Sequence, residues 1–182
     1  MLYNKTLTDS LGIEVPDNIT WDQFVEISRK IFEETGVGVI YGDGNSENPL
    51  TYYARSLGYT ALWDANGLLP NAEEMTGYYQ RLIDGVAEGW MFDTDKLAGV
   101  NTADLAQYPL VYGATNDVRC WCALAFSNQI AAYQTAATAD GIELGITTWP
   151  SLDPVASNYL KPGQFFSVTT DAENPDLAVA IL

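Results

Sequence analysis

The chain has 182 residues, enough for one well-packed domain, and carries a net charge of −16 with no histidine. That balance excludes DNA, RNA and anionic membrane surfaces as natural partners, because each calls for clustered Lys or Arg. The absence of histidine removes the usual general base and the commonest zinc ligand.

Residues 2–7 read as a short strand or strand end, and Gly12 and Pro16 punctuate the connection after it. Thr20 is placed to cap a helix, with Gln23 at N3 completing a capping box. Trp21, Phe24, Ile27, Ile31 and Phe32 fall near one face of the next turns, and the helix should end before Gly36 and Gly38. Val37, Val39 and Ile40 then form a short strand. Its exit, Gly42-Asp43-Gly44-Asn45-Ser46-Glu47-Asn48-Pro49, is acidic and rich in glycine.

Residues 50–58 look helical, anchored by Tyr52, Tyr53 and Leu57 and stopped by Gly58. Asp64-Ala65-Asn66-Gly67 reads as an Asn-Gly turn of type I′ character. A clear helix covers about 71–88, with Met75, Tyr78, Tyr79, Leu82, Ile83 and Val86 as its buried stripe and Gly89 as its stop. A polar stretch with Asp93 and Asp95 leads to a short helix around 102–108.

Residues 118–126 form a mostly apolar strand that carries Cys120 and Cys122. Two cysteines one residue apart cannot close an unstrained disulfide and lack further metal ligands, so they read as buried free thiols. Ser127 is expected to cap a helix that starts at Asn128 or Gln129 and runs to about 138. Ile142 to Thr148 is another strand, ended by Trp149-Pro150, and 151–163 is loop. Phe165, Phe166, Val168 and Thr170 make the last strand. Asn174 then caps a helix with Pro175 at N1 and Asp176 in the first turn. Helices alternate with strands, an α/β layout that we read as a layered α/β domain. No run of about eighteen apolar residues marks a membrane span.

Tyr3-Asn4-Lys5 followed by Thr20-Trp21-Asp22-Gln23-Phe24 resembles the middle of bacterial extracellular solute-binding proteins of ABC importers. The likeness is to their sugar-binding family 1, the maltose-binding-protein-like branch. Glu88-Gly89-Trp90-Met91 at the end of the second long helix, Arg119 to Asn128, Leu144-Gly145-Ile146 to Trp149-Pro150, Gly163 to Thr170 and Asn174-Pro175 continue the likeness in order. One departure stands out. The strand before the cleft usually ends in glycine and tryptophan, whereas here it ends Ala125-Phe126-Ser127-Asn128, with Trp121 earlier.

The resemblance implies one lobe of a two-lobed, type II periplasmic-binding-protein-like fold. Residues 1–163 would be an incomplete second lobe, and 164–182 a hinge strand and the start of a helix returning to the other lobe. The chain would then be a fragment of a longer, lipid-anchored protein on the extracellular face of the membrane or in the periplasm. It would capture a carbohydrate, an oligosaccharide by preference, and deliver it to the ABC transporter permease subunits. Its partners would be that sugar, the permease and the missing first lobe. A non-sugar solute, or a stand-alone structural domain without a transport role, is the alternative.

Sugars are held by aromatic faces and by polar groups matched to hydroxyls. The expected ligand contacts are Phe126 for stacking, Ser127 and Asn128 for hydrogen bonds, then Trp63 projecting toward the cleft from before a loop, Tyr3 and Asn4 at the cleft floor, Tyr41 and Asp43 on a loop, and Trp149. Asp43, Asn45 and Glu47 alternate like the start of a calcium loop, but the glycine and final glutamate are misplaced. No metal, cofactor or enzymatic activity is expected. Paired carboxylates alone do not establish glycosidase chemistry.

Overall fold

Leu2–Asn4 begins the first element, β1, in a computed structural model that describes residues 1–41, 47–101, 104–111, 118–160 and 165–181. The strand is only half of what the sequence suggests. Asn4 turns it into a helix, α1 (Lys5–Ser10), because its side chain accepts the Leu7 N–H at 2.8 Å and caps the first turn. The second helix, α2 (Trp21–Thr35), starts as expected with Thr20 and Gln23 in a reciprocal capping box. It ends on Gly36 in the left-handed region at φ 73°, where glycine carries no Cβ penalty. Loss of an N-cap side chain such as that of Thr20 typically costs about 1 kcal/mol.

The helix α3 (Glu47–Ser56) opens earlier than the sequence suggests. A hairpin follows, β2 (Trp63–Asp64) with β3 (Gly67–Leu68), paired Trp63 to Leu68 and Asp64 to Gly67. The Asp64 carboxylate accepts the Asn66 N–H at 2.7 Å and tightens the expected turn. The helix α4 (Ala72–Ala87) is capped by Asn71, which accepts the N–H groups of Glu73 and Glu74. Of the stripe expected to be buried, Tyr78 is enclosed and Met75 and Leu82 are half-buried, whereas Tyr79, Ile83 and Val86 are exposed. A single turn, α5 (Thr94–Leu97), is capped by Asp93. The helix expected around 102–108 is instead a pair of 3₁₀ turns, Leu105–Gln107 and Pro109–Val111, among the described residues.

The apolar run after residue 118 contributes only β4 (Cys122–Ala123) to a ladder. Beyond it come a 3₁₀ turn at Ser127–Gln129, the helix α6 (Ile130–Thr138), and β5 (Leu144–Ile146). Residues 151–163, expected as loop, hold the short helix α7 (Pro154–Ser157), capped by Asp153. The strand expected at 165–170 does not form. Phe165 and Phe166 are 81% and 87% exposed, and the chain passes to α8 (Pro175–Ile181).

The sheet order is β4-β1-β5, with β1 antiparallel to both neighbours. The register sets Leu2 opposite Ala123 and Ile146, and Asn4 opposite Leu144. Parallel bridges extend the sheet past β4, Gly38 to Cys120 and Val39 to Met91. The expected strand at 37–40 is thus reduced to these bridges. Their direction matters more than their length. The 38–40 segment, β4, β5 and the 91–92 segment all run the same way, with β1 running against them.

Four aromatic rings pack around Phe24, which is fully buried. Its centroid lies 5.5 Å from Trp21, 6.3 Å from Tyr41, 6.0 Å from Trp90 and 5.6 Å from Trp121. Buried indoles find partners for their N–H groups, Trp121 at the Ser28 hydroxyl and Trp90 at the Glu88 carboxylate. Cys120 and Cys122 are both buried and form no disulfide among the described residues, as expected. No helix among the described residues is long and apolar enough to cross a membrane.

Candidate functional site

Parallel segments that share a direction bring their exits to one edge of the sheet, and in open α/β sheets ligands bind outside that carboxyl edge. Tyr41 follows the 38–40 segment, Phe126 follows β4, and Trp149 follows β5. The structure therefore brings these three predicted residues to the same edge. Phe126 and Trp149 touch directly, with ring centroids 5.3 Å apart and planes tilted by 39°. The Trp149 indole N–H donates to the Ala125 carbonyl at 3.0 Å. That bond joins the two strand exits and holds the backbone next to Phe126.

Trp149 is only 9% exposed, so it supports the surface from beneath. On its other side lies Tyr52 of α3, with centroids 5.6 Å apart. The Tyr52 hydroxyl donates to the Asn158 side-chain oxygen at 3.0 Å, and burial pushes this phenol up to about 12. Burial likewise pushes the Tyr41 phenol well above its ordinary value. Both remain neutral hydrogen-bonding groups at ordinary pH.

Phe126 is half-buried, and Ser127, Asn128 and Gln129 beside it are exposed. The cap expected from Ser127 does not form in that way. Phe126 occupies the cap position of the 3₁₀ turn, and the Gln129 side-chain oxygen accepts its N–H at 2.9 Å. Ser127 and Asn128 therefore open the turn on the surface. This stretch offers an aromatic ring, a hydroxyl and two amides, with no ionised side chain between Phe126 and Gln129. Such a set suits a neutral ligand rich in hydroxyl groups.

The other predicted residues are placed elsewhere. Asn4 stands at the opposite edge of the sheet, because β1 runs against its neighbours; it is 2% exposed and spent on capping α1. Tyr3 lies in the middle of β1 with its ring packed over Gly145, where an added Cβ would meet Tyr3 Cζ at 2.2 Å. Trp63 is 54% exposed, but on the separate β2-β3 hairpin. Asp43, with Asn45, lies outside the described residues.

Two surface grooves are formed by other residues. One of about 420 Å³ runs along Gly12, Glu14, Gln23 and Lys30, and one of about 510 Å³ lies between α2 and α4, with Arg29, Gln80, Arg81 and Asp84 on its walls. Neither groove is lined by any residue predicted to touch ligand. Sequence reasoning also missed Tyr52, Arg55 and Asn158 beside the edge. Tyr52 was readable only as an apolar helix anchor, and Asn158 sat in a segment read as loop.

No family model matches the chain, and neither does any curated protein. A solved structure described as an extracellular solute-binding protein family 1 from Alicyclobacillus acidocaldarius superposes with a TM-score of 0.73 at 23% identity. The match covers 97% of this chain and 43% of that one. The chain accordingly has the fold of a part of that solute-binding protein, spanning 43% of its length.

Proposed function

We propose that this chain is a ligand-binding lobe of an extracellular solute-binding protein that captures a carbohydrate for an ABC transporter permease. The observation that carries the reading is the common edge, where Phe126 rests on Trp149 and is followed by exposed Ser127, Asn128 and Gln129. A half-buried ring braced from below offers a flat apolar face, and the neighbouring hydroxyl and amides can exchange hydrogen bonds with sugar hydroxyls. The likeness in fold to a solute-binding protein supports the same reading. Capture would proceed by closure of a second lobe over the bound sugar, with closure stabilised by contacts to both lobes. The site would lie outside the cell membrane or in the periplasm, on a longer, lipid-anchored protein.

A single lobe lacks half of the contacts, so its affinity is expected to be weak, in about the millimolar range. Calorimetry of the chain against maltotriose, cellotriose and xylotriose tests the reading. Binding of one of these sugars, weakened about tenfold in Phe126→Ala, is the expected result. Binding of a peptide or a polyamine in place of every sugar would remove the carbohydrate assignment.

A further inference from the structure

The aromatic row at the carboxyl edge does not stop at Trp149. It passes through Tyr52 to Asn158, and there it reaches a stretch of chain held by several hydrogen bonds. Arg55 of α3 donates from Nε to the Ser157 carbonyl at 3.0 Å, from Nη1 to the Thr60 carbonyl at 3.4 Å and from Nη2 to the Asn158 carbonyl at 3.5 Å. Its guanidinium carbon also lies 4.7 Å from the centroid of the Tyr159 ring. The Ser157 hydroxyl bonds the Ser151 hydroxyl at 2.9 Å and the Asp153 carbonyl at 2.8 Å. Ser151 and Ser157 are both buried. The backbone leading to Tyr159 is therefore tied on two sides, to α3 and to the start of its own loop.

The side chains that this backbone carries are exposed. Tyr159 is 38% exposed while the Arg55 guanidinium lies over its ring. Asn158 is exposed, and its side-chain oxygen is taken by the Tyr52 hydroxyl. That bond leaves the amide NH₂ as a donor that makes no hydrogen bond among the described residues. The Tyr159 ring and the Asn158 amide thus stand exposed on the far side of Trp149 and Tyr52 from Phe126.

We propose that Tyr159 and Asn158 form a second sugar subsite, with Arg55 as the residue that positions them. Phe126 would take one sugar ring and Tyr159 another, with the buried Trp149 and Tyr52 as the floor between them. The ligand would then span at least two rings, in line with the oligosaccharide that the resemblance implies, and what is new is where the second ring sits. This inference rests on the carbohydrate reading above. Arg55 acts through the loop and need not touch the sugar.

Calorimetry with maltotriose, cellotriose and xylotriose on the unaltered chain, Phe126→Ala, Tyr159→Phe, Tyr159→Leu and Arg55→Gln tests it. Tyr159→Phe keeps the flat ring and should bind as the unaltered chain does. Tyr159→Leu keeps apolar bulk without a planar face and should bind about tenfold more weakly. Arg55→Gln should weaken binding while circular dichroism stays unchanged. A monosaccharide should show a smaller loss in Tyr159→Leu than the trisaccharide. Binding that depends on Phe126 but is equal in Tyr159→Leu and the unaltered chain would overturn the second subsite alone. Failure of every sugar to bind the unaltered chain would overturn the carbohydrate reading and this inference with it.

Discussion

The packing around Phe24 and the segment from residue 151 to 181 contain similar kinds of side chain and treat them in opposite ways. In the first region Phe24, Ile31, Val39 and Trp121 are fully enclosed. In the second Val155, Leu160, Phe165, Phe166, Leu177, Val179 and Ile181 stand mostly in solvent, Leu160 at 96%. Composition cannot account for the contrast. Position can, because the first group comes from segments that meet across the sheet, whereas the stretch at 165–170 finds no ladder. Apolar area left in water contributes nothing to folding, while each enclosed Phe or Leu contributes about 1.5–3 kcal/mol. The two regions should therefore respond very differently to substitution.

The largest effect is expected at the first region. Trp121→Ala removes a buried ring together with its hydrogen bond to Ser28. It should cost about 3–5 kcal/mol in urea unfolding, or prevent folding altogether. A loss below about 1 kcal/mol would mean that the packing around Phe24 is not the stabilising centre. Gly145→Ala is next. Its Cβ would meet the Tyr3 ring, so β1 or that ring must shift, at about 1–3 kcal/mol. Adding Tyr3→Ala should relieve the clash, and a double-mutant cycle should show coupling between the two positions.

Smaller still is the surface pair of Arg29 with Glu88. The Arg29 guanidinium, followed by the Trp90 indole, holds the Glu88 carboxyl at about 2. Because its folded-state value is depressed, this group stabilises the fold above its ordinary value of 4.5 and loses that contribution as pH falls toward 2. Both side chains are exposed, so the effect is small and weakens with added salt. Glu88→Gln should flatten the acid limb of the stability profile between those values. Smallest of all is Phe166→Ser, expected to change stability by no more than about 0.5 kcal/mol. A cost near that of Trp121→Ala would erase the contrast and reveal that the final segment is covered in solution.

Much of this was legible in the chain itself, for reasons that differ from element to element. The start of α2 could be read because Thr20 and Gln23 meet reciprocally within one turn, and α4 because its apolar stripe keeps helical period. Both signals are local. Sheet membership was overread at 37–40, 118–126 and 165–170, because an apolar run does not reveal how many of its residues find a ladder partner. At the proposed site, Phe126 and Trp149 are readable as exits of strands, and the fold joins them. Asn4 is expected at the same cleft as Phe126 and Trp149, whereas the antiparallel course of β1 carries it to the opposite edge of the sheet. That course depends on pairing more than a hundred residues away, which no local pattern encodes. The Arg55 contacts to Ser157 and Asn158 were invisible for the same reason.

The central claim is that the carboxyl edge of the sheet is the ligand surface. The most direct measurement is the change in backbone amide NMR shifts as maltotriose, cellotriose or xylotriose is added to the labelled chain. The account predicts that one of the three shifts the signals of Tyr41, Phe126 to Gln129, Trp149 and Asn158, and leaves those of Asn4 and α1 in place. Shifts concentrated instead at the groove of Arg29, Gln80 and Asp84 between α2 and α4 would contradict it.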